Sequence, residues 1–317
     1  MPVCEAAEAG LRTNVPLRGT PPSNSNLHSA AAQCKRSLLE LWALQRGDQI
    51  LELPGQMQVT LVSFYGEEKP AELAQLIISL QDMLASALGS GFRAYELRQV
   101  HGTLVGIEGY RVGTAIQNLN SGLQVDARSL LSFIRSDDFP SIQVRVGGYQ
   151  HHKEFPFKSR GMHPYLRSFS VQGDIAVATG WPINSGFPNS IDDLRRRFDS
   201  ELNVRHKYHR RQDDRDNDFF FALGRIDRRR TDALQLQGVV EQARSSLAGL
   251  DGVLATVSAD TLRLVAYLDP QLPTETSAWF AIKDPALTAE RFLALYPPVP
   301  ASSAKPRRLL GRAGRAK

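Results

Sequence analysis

The chain has 317 residues, 42% hydrophobic and 22% charged, with a formal net charge of +5. That is chain enough for one large domain or two modest ones with a sizeable buried core, and no run approaches the roughly 18 uninterrupted apolar residues of a membrane span. The two cysteines, Cys4 and Cys34, have neither CxxC spacing nor a nearby ligand set, which argues against a disulfide framework or a zinc ribbon.

Residues 1–50 read as a leader. The stretch to about residue 28 is rich in Pro, Ser and Asn and is expected to be disordered, and Leu38, Leu39 and Trp42 then fall at the spacing of a short amphipathic helix. Met1–Gly10 carries Glu5 and Glu8 and lacks the basic start and apolar run of a signal peptide, so cytoplasmic residence is the expectation, with no membrane partner.

The ordered body is expected over residues 51–297. Met57–Tyr65 is nearly all β-formers and ends at Gly66, which predicts a strand. Pro70 sits at a helix start, and Leu73, Leu76, Ile77, Leu80, Leu84 and Leu88 follow at 3–4 spacing, predicting a helix over 70–88 stopped by Gly89 and Gly91. A second strand is expected from Tyr95 to Ile107, a short helix from Ser129 to Arg135 and a strand from Ser141 to Tyr149. His151–Arg167 reads as irregular, and Ser168–Trp181 as a strand or hairpin around Gly173. Ser190, with Asp193 three positions on, predicts the start of a helix through about Leu202. Asp218–Ile226 reads as a strand, Asp232–Leu250 as a helix and Thr256–Leu268 as a final strand closed by Asp269-Pro270. Strands and helices mixed along the chain give an α/β (α+β) body rather than a bundle or sandwich. Residues 298–317 read as a basic flexible tail.

The charge is localised. Residues 195–230 hold twelve Lys/Arg against seven Asp/Glu, and residues 305–317 hold six Lys/Arg and no acid. Concentrated positive charge suits a polyanionic partner such as RNA or a phosphorylated small ligand.

The chemistry centres on Gln99-Val100-His101-Gly102-Thr103-Leu104. Within a strand, alternation places His101 and Thr103 on one face, together with Gln99 and Leu97. An imidazole that exchanges a proton near neutral pH and a hydroxyl that donates to a nonbridging oxygen can serve one phosphate. Following the order strand, helix, HxTL-bearing strand, residues 56–270 resemble the two-histidine phosphoesterase superfamily, which includes the 2′,5′-RNA ligase-like proteins. The resemblance implies two lobes, each a mainly antiparallel sheet, facing a central cleft with helices outside. It further implies metal-free acid/base catalysis on a phosphodiester or 2′,3′-cyclic phosphate, with no cofactor, and one HxT/S motif from each lobe. His101 and Thr103 would be the catalytic pair of the first lobe.

The second motif departs from the pattern. Aligned on Leu223-Gly224-Arg225-Ile226, Phe220 stands at the histidine position and Ala222 at the threonine position; the rival placement, Ala259-Asp260-Thr261-Leu262, keeps a threonine but again lacks the histidine. His206 and His209 are sequence-near substitutes, and Lys207, His209 and Arg225, with Arg160, are candidate phosphate contacts. His151, His152 and His163 lack metal-ligand spacing, so no metal is expected. The acidic cluster Asp213, Asp214, Asp216 and Asp218 reads as paired with the surrounding arginines. Three functions follow from these residues: a divergent phosphoesterase acting on an RNA end, cyclic phosphate or nucleotide; a catalytically inactive RNA- or phosphate-ligand-binding protein of the same fold; and an interaction module whose cleft is filled by Phe219, Phe220 and Phe221.

Overall fold

The structure is a computed structural model, and it describes residues 57–183, 186–207, 209 and 214–297. The expected leader with its helix, the basic tail and both cysteines lie outside the described residues. The elements in chain order are β1 (Gln58–Ser63), α1 (Ala71–Leu88), β2 (Phe92–Ala94), β3 (Gly102–Gly106), β4 (Gly109–Val112), β5 (Ala115–Asn118), β6 (Gln124–Val125), α2 (Ala127–Arg135), β7 (Ile142–Val146), α3 (Pro164–Ser168), β8 (Phe169–Gln172), β9 (Ile175–Pro182), α4 (Ser190–Leu202), β10 (Phe219–Ile226), α5 (Ala233–Ala248), β11 (Val253–Val257), β12 (Leu262–Tyr267), β13 (Ser277–Ala281) and α6 (Ala289–Ala294).

Ten strands form one sheet in the order β11-β7-β9-β10-β3-β1-β12-β13, with β2 paired to β10 and β8 to β9; every pairing is antiparallel. β4, β5 and β6 form a separate three-stranded sheet. The architecture is therefore mixed α/β, with a large open antiparallel sheet. Along its main path, two runs of four strands meet where β3 lies beside β10. That junction is thin, with one register pair, Gly102 with Phe221, whereas β1 pairs with β12 over six positions.

Among the described residues, helices form where they are expected, over 70–88, 129–135, 190–202 and 232–250. α1 buries Leu73, Leu76, Ile77, Leu80, Leu84 and Leu88 and stops at Gly89, whose φ is 51°. Its Ala71–Gly91 stretch has a mean hydropathy of 1.2, long and apolar enough to pass for a membrane span, yet its apolar stripe belongs to the core beneath the sheet. The Asp126 and Asp232 carboxylates cap α2 and α5 by accepting from the backbone of Ser129 and Gln235, each at 2.8 Å. α4 starts differently from the expectation. Asn189 rather than Ser190 is the capping position, and the Ile191 and Asp192 amides donate to Asn217 Oδ1 at 3.1 and 3.2 Å. A side chain more than twenty residues downstream does the capping, which no local sequence box reveals.

The strand expected over 95–107 is broken. Phe92–Ala94 pairs with β10, Glu96–Val100 turns back on itself through Gln99 N–H to Glu96 O at 2.9 Å, and β3 begins at Gly102. Leu97 and Gln99 are thus in a turn, not on the strand face assigned to them. The strand expected over 256–268 is two strands, β11 and β12, separated by the turn that contains Ala259 and Asp260.

Most of the core lies on the face of the sheet covered by α1 and α5. The opposite face carries two smaller aromatic groups. In one, Tyr65 and Trp279 pack edge to face beside Val62, Val265 and Tyr267. In the other, Tyr149 meets Trp181 edge to face at 4.8 Å, with Phe157 and Phe187 against them. The strip of β3 and β10 runs between these groups.

Candidate functional site

The Gly102–Phe221 pair sets the geometry of this strip. Alternation on both strands puts His101, Thr103, Phe220 and Ala222 on one face and Gly102, Phe219 and Phe221 on the other. Exposure agrees: the first four are half-buried, and the last three are buried. The local two-fold of an antiparallel pair centred there carries His101 onto Phe220 and Thr103 onto Ala222. The alignment on Leu223-Gly224-Arg225-Ile226 therefore coincides with a spatial relation.

Gly102 has no room for a side chain, because a Cβ would fall 2.0 Å from the Phe219 ring. Phe219 and Phe221 point into the core against Phe64, at 6.4 and 6.1 Å between ring centres. This corrects the reading in which all three phenylalanines fill a cleft, since Phe220 alone of the three faces the strip.

His101 directs Nδ1 at the Gln99 carbonyl oxygen, 2.7 Å away. A carbonyl can only accept, so Nδ1 carries the proton and Nε2 is left with its lone pair. Among the described residues, no hydrogen bond is made to Nε2 or to the Thr103 hydroxyl. The ring packs edge to face on Tyr65 at 5.8 Å. Desolvation lowers its pKa to about 4; the bond to Gln99 works against that shift and the Lys69 ammonium adds to it. The imidazole is neutral at pH 7, an acceptor rather than a proton donor at Nε2. Lys69 donates to the Gly66 carbonyl oxygen at 3.0 Å, and desolvation, partly offset by Glu67, brings its pKa down to about 8.

Two guanidinium groups lie over the Phe220 ring, those of Arg160 at 5.8 Å and Arg167 at 6.0 Å from its centre. Both are held by Asp218, at 3.5 Å from Arg160 and 2.9 Å from Arg167, and Arg160 also reaches Asp216 at 3.3 Å. Asp218 accepts further bonds from Ser159 at 2.7 Å and Trp181 Nε1 at 2.6 Å. The expected pairing of the acidic cluster with arginines holds for Asp216 and Asp218; Asp213 lies outside the described residues. Asp218 thus fixes two cations beside the place where the two-fold would put a second histidine, a relation that sequence spacing did not disclose.

Arg195 closes the gap between the strands. Its buried guanidinium donates to the carbonyl oxygens of Thr103 and Leu104 on β3, and to those of Asp216 and Asp218 leading into β10. Although it sits in the run Arg195–Arg197, Arg195 is 2% exposed.

The remaining candidates separate. His209 is buried, with Nε2 2.8 Å from Asp192 Oδ1, so its ring serves the α4 end of the fold. His206 lies 3.1 Å from Asp216, and desolvation, reinforced by Arg195, takes it down to about 4. Lys207 is exposed in a turn. Arg225 is exposed on β10, past a bulge between Ala222 and Gly224 that turns it onto the face shared by Phe220 and Ala222. In the rival motif, Thr261 Oγ1 is taken up by Ser63 at 2.7 Å. His163 caps α3 by accepting from Tyr165 N–H at 3.2 Å. Among the described residues, no group of three or more His, Cys, Asp or Glu is arranged to hold a metal ion.

No protein-family model and no curated protein matches the chain. Among solved structures it is similar to TT0787 of Thermus thermophilus, at 13% identity over 70% of this chain and 93% of that one, with a TM-score of 0.34.

Proposed function

We propose that this chain is a divergent two-histidine phosphoesterase-like protein that binds a phosphate ester, the end of an RNA or a nucleotide, on the strip around His101 and Thr103 without hydrolysing it. The observation that carries this reading is the Gly102–Phe221 pairing, whose two-fold relates His101 to Phe220 and Thr103 to Ala222. Transfer at a phosphodiester needs one group to take a proton and another to give one, each worth about 10²–10⁴-fold. A neutral His101 supplies an acceptor, and a phenylalanine at the related position supplies no donor. The unbonded Thr103 hydroxyl, the His101 ring and the two guanidinium groups at Phe220 remain as partners for a phosphate.

A second reading is favoured by Lys69. Its ammonium bears electrostatically on the His101 ring, and in this reading it would give a proton to the leaving oxygen while Nε2 takes one from the attacking hydroxyl. Calorimetric titration with nucleoside 2′,3′-cyclic and 3′-monophosphates, beside a turnover assay without metal, separates the two. The binding reading expects saturable heat that disappears in His101→Ala and weakens in Thr103→Ala, with no product formed. Turnover lost in both His101→Ala and Lys69→Met would replace it with the catalytic one, and no binding of either ligand would end both.

A further inference from the structure

A concavity of about 530 Å³ lies where β2 runs along the end of β10 and the chain turns into α5, away from the His101 strip. It is lined by five arginines against two aspartates, a formal +3. Its lining includes a like-charge pair: Arg93 on β2 and Arg225 on β10 are direct register partners, both exposed. Like charges directly opposite on neighbouring strands destabilise a sheet. Asp174 answers one of them, 3.3 Å from Arg225 Nε. Arg230 is paired with Asp227 at 3.3 Å. The Arg228 guanidinium is held on the Gly173 carbonyl oxygen at 2.7 and 3.1 Å, which fixes its position and leaves its charge uncompensated. Among the described residues, no ion pair or hydrogen bond engages the side chain of Arg93 or Arg229.

We infer that this arginine-lined groove binds the linked phosphates of a single nucleic-acid strand. Three uncompensated guanidinium groups around one hollow ask for an anion with several negative groups, and guanidinium forks pair with phosphate oxygens bidentately. The hollow is open to solvent, and its arginines come from β2, from β10 and from the turn that follows β10, so a flexible phosphate chain can meet them one after another. Inorganic tripolyphosphate offers the same chemistry without bases, and the two sources are told apart by competition. The inference does not depend on the reading of the His101 strip, because His101 does not line this groove.

The test is fluorescence anisotropy of a labelled single-stranded RNA of about ten nucleotides, within the site sizes common for single-strand binding, with the full chain at low and at physiological salt. Arg93→Ala with Arg229→Ala is expected to weaken binding at least tenfold and to flatten the slope of log affinity against log salt by about 1.4, at about 0.7 per lost phosphate contact on a single strand. Arg128→Ala with Lys283→Ala, which removes two exposed cations elsewhere, leaves affinity within twofold. Tripolyphosphate that displaces the RNA at equal phosphate concentration would make free oligophosphate the ligand; failure to do so supports the strand. Arg93→Glu without ligand is expected to raise the melting temperature while abolishing binding, whereas a merely structural arginine would lower it. Wild-type affinity in the Arg93/Arg229 double variant would overturn the inference, whether the remaining affinity comes from residues 305–317 or elsewhere, as would wild-type protein that fails to bind the RNA.

Discussion

The Arg195 guanidinium donates to the Thr103 carbonyl oxygen at 3.0 Å, so the strand carrying the candidate site is anchored by a buried charge from α4. The same group serves the backbone of Leu104, Asp216 and Asp218 and lies 3.5 Å from the Asp216 carboxylate. Arg195→Met leaves four carbonyl oxygens without that donor and removes a charge partner from Asp216. Breaking a buried pair from one side costs about 3–5 kcal/mol, and the loss should show as a lower urea midpoint. Arg197→Ala, which removes an exposed pair with Glu201 and a guanidinium 4.7 Å from the Phe133 ring centre, should lower stability by no more than about 1 kcal/mol.

If the register at Gly102 and Phe221 reflects a lost second motif, restoring it should restore chemistry. Phe220→His combined with Ala222→Thr is expected to produce metal-independent hydrolysis of a nucleoside 2′,3′-cyclic phosphate at least about 10²-fold above the wild-type chain, the lower range for one added acid/base group. The same double variant in a His101→Ala background should lose that gain. A folded double variant with no turnover would count against the phosphoesterase ancestry of the strip.

His101 and His206 both have folded-state pKa values near 4, lowered first by desolvation. Above pH 6.5 each ring is neutral folded and unfolded alike. Between 6.5 and 4 the unfolded chain takes up protons that the folded chain refuses, so stability falls as pH falls through that window. Asp216, held down to about 2 chiefly by His206 and Arg195 against its own desolvation, extends the loss from 3.8 towards 2. Urea titrations at neutral pH and at two points inside that window should show the decline, and His101→Gln should reduce the proton uptake on unfolding near the middle of the window by about one.

The close approach of Gly102 to Phe219 gives a packing test. Gly102→Ala places a methyl group inside the Phe219 ring and is expected to destabilise by about 1–3 kcal/mol, the usual range for overpacking. Adding Phe219→Leu should recover part of that loss in the same denaturation measurement, since the two changes share one contact.

Much of the fold is legible in the sequence where the information is local. The apolar stripe of α1, the β-rich runs of β1 and β10, and the hairpin of β8 and β9 about Gly173 lie where periodicity and glycine put them. Other features depend on distant partners. β2 is a strand because Arg93 and its neighbours find the end of β10, and the turn at 96–100 that separates it from β3 carries neither Gly nor Pro. The small sheet of β4–β6, β13 and α6 is built from segments whose patterns are too short to stand out. At the site, the matching of Phe220 to His101 could be read from aligned motifs, whereas the roles of Arg195, Asp218 and Arg167 could not. Arg195 sits in a run of three arginines, and its carbonyl acceptors come from segments 91–92 and 21–23 residues away in the chain.

The single register pair between β3 and β10 has a kinetic consequence. Cross-strand amides inside the β1–β12 ladder are shielded by neighbours over six consecutive positions, whereas the seam between the two four-strand runs relies on one such position plus a side chain. Local openings start where backbone protection is sparse. Deuterium should therefore enter at the amides facing the seam around Gly102 and Phe221 well before it enters the β1–β12 ladder, with the half-sheets on either side staying closed while the line between them breathes.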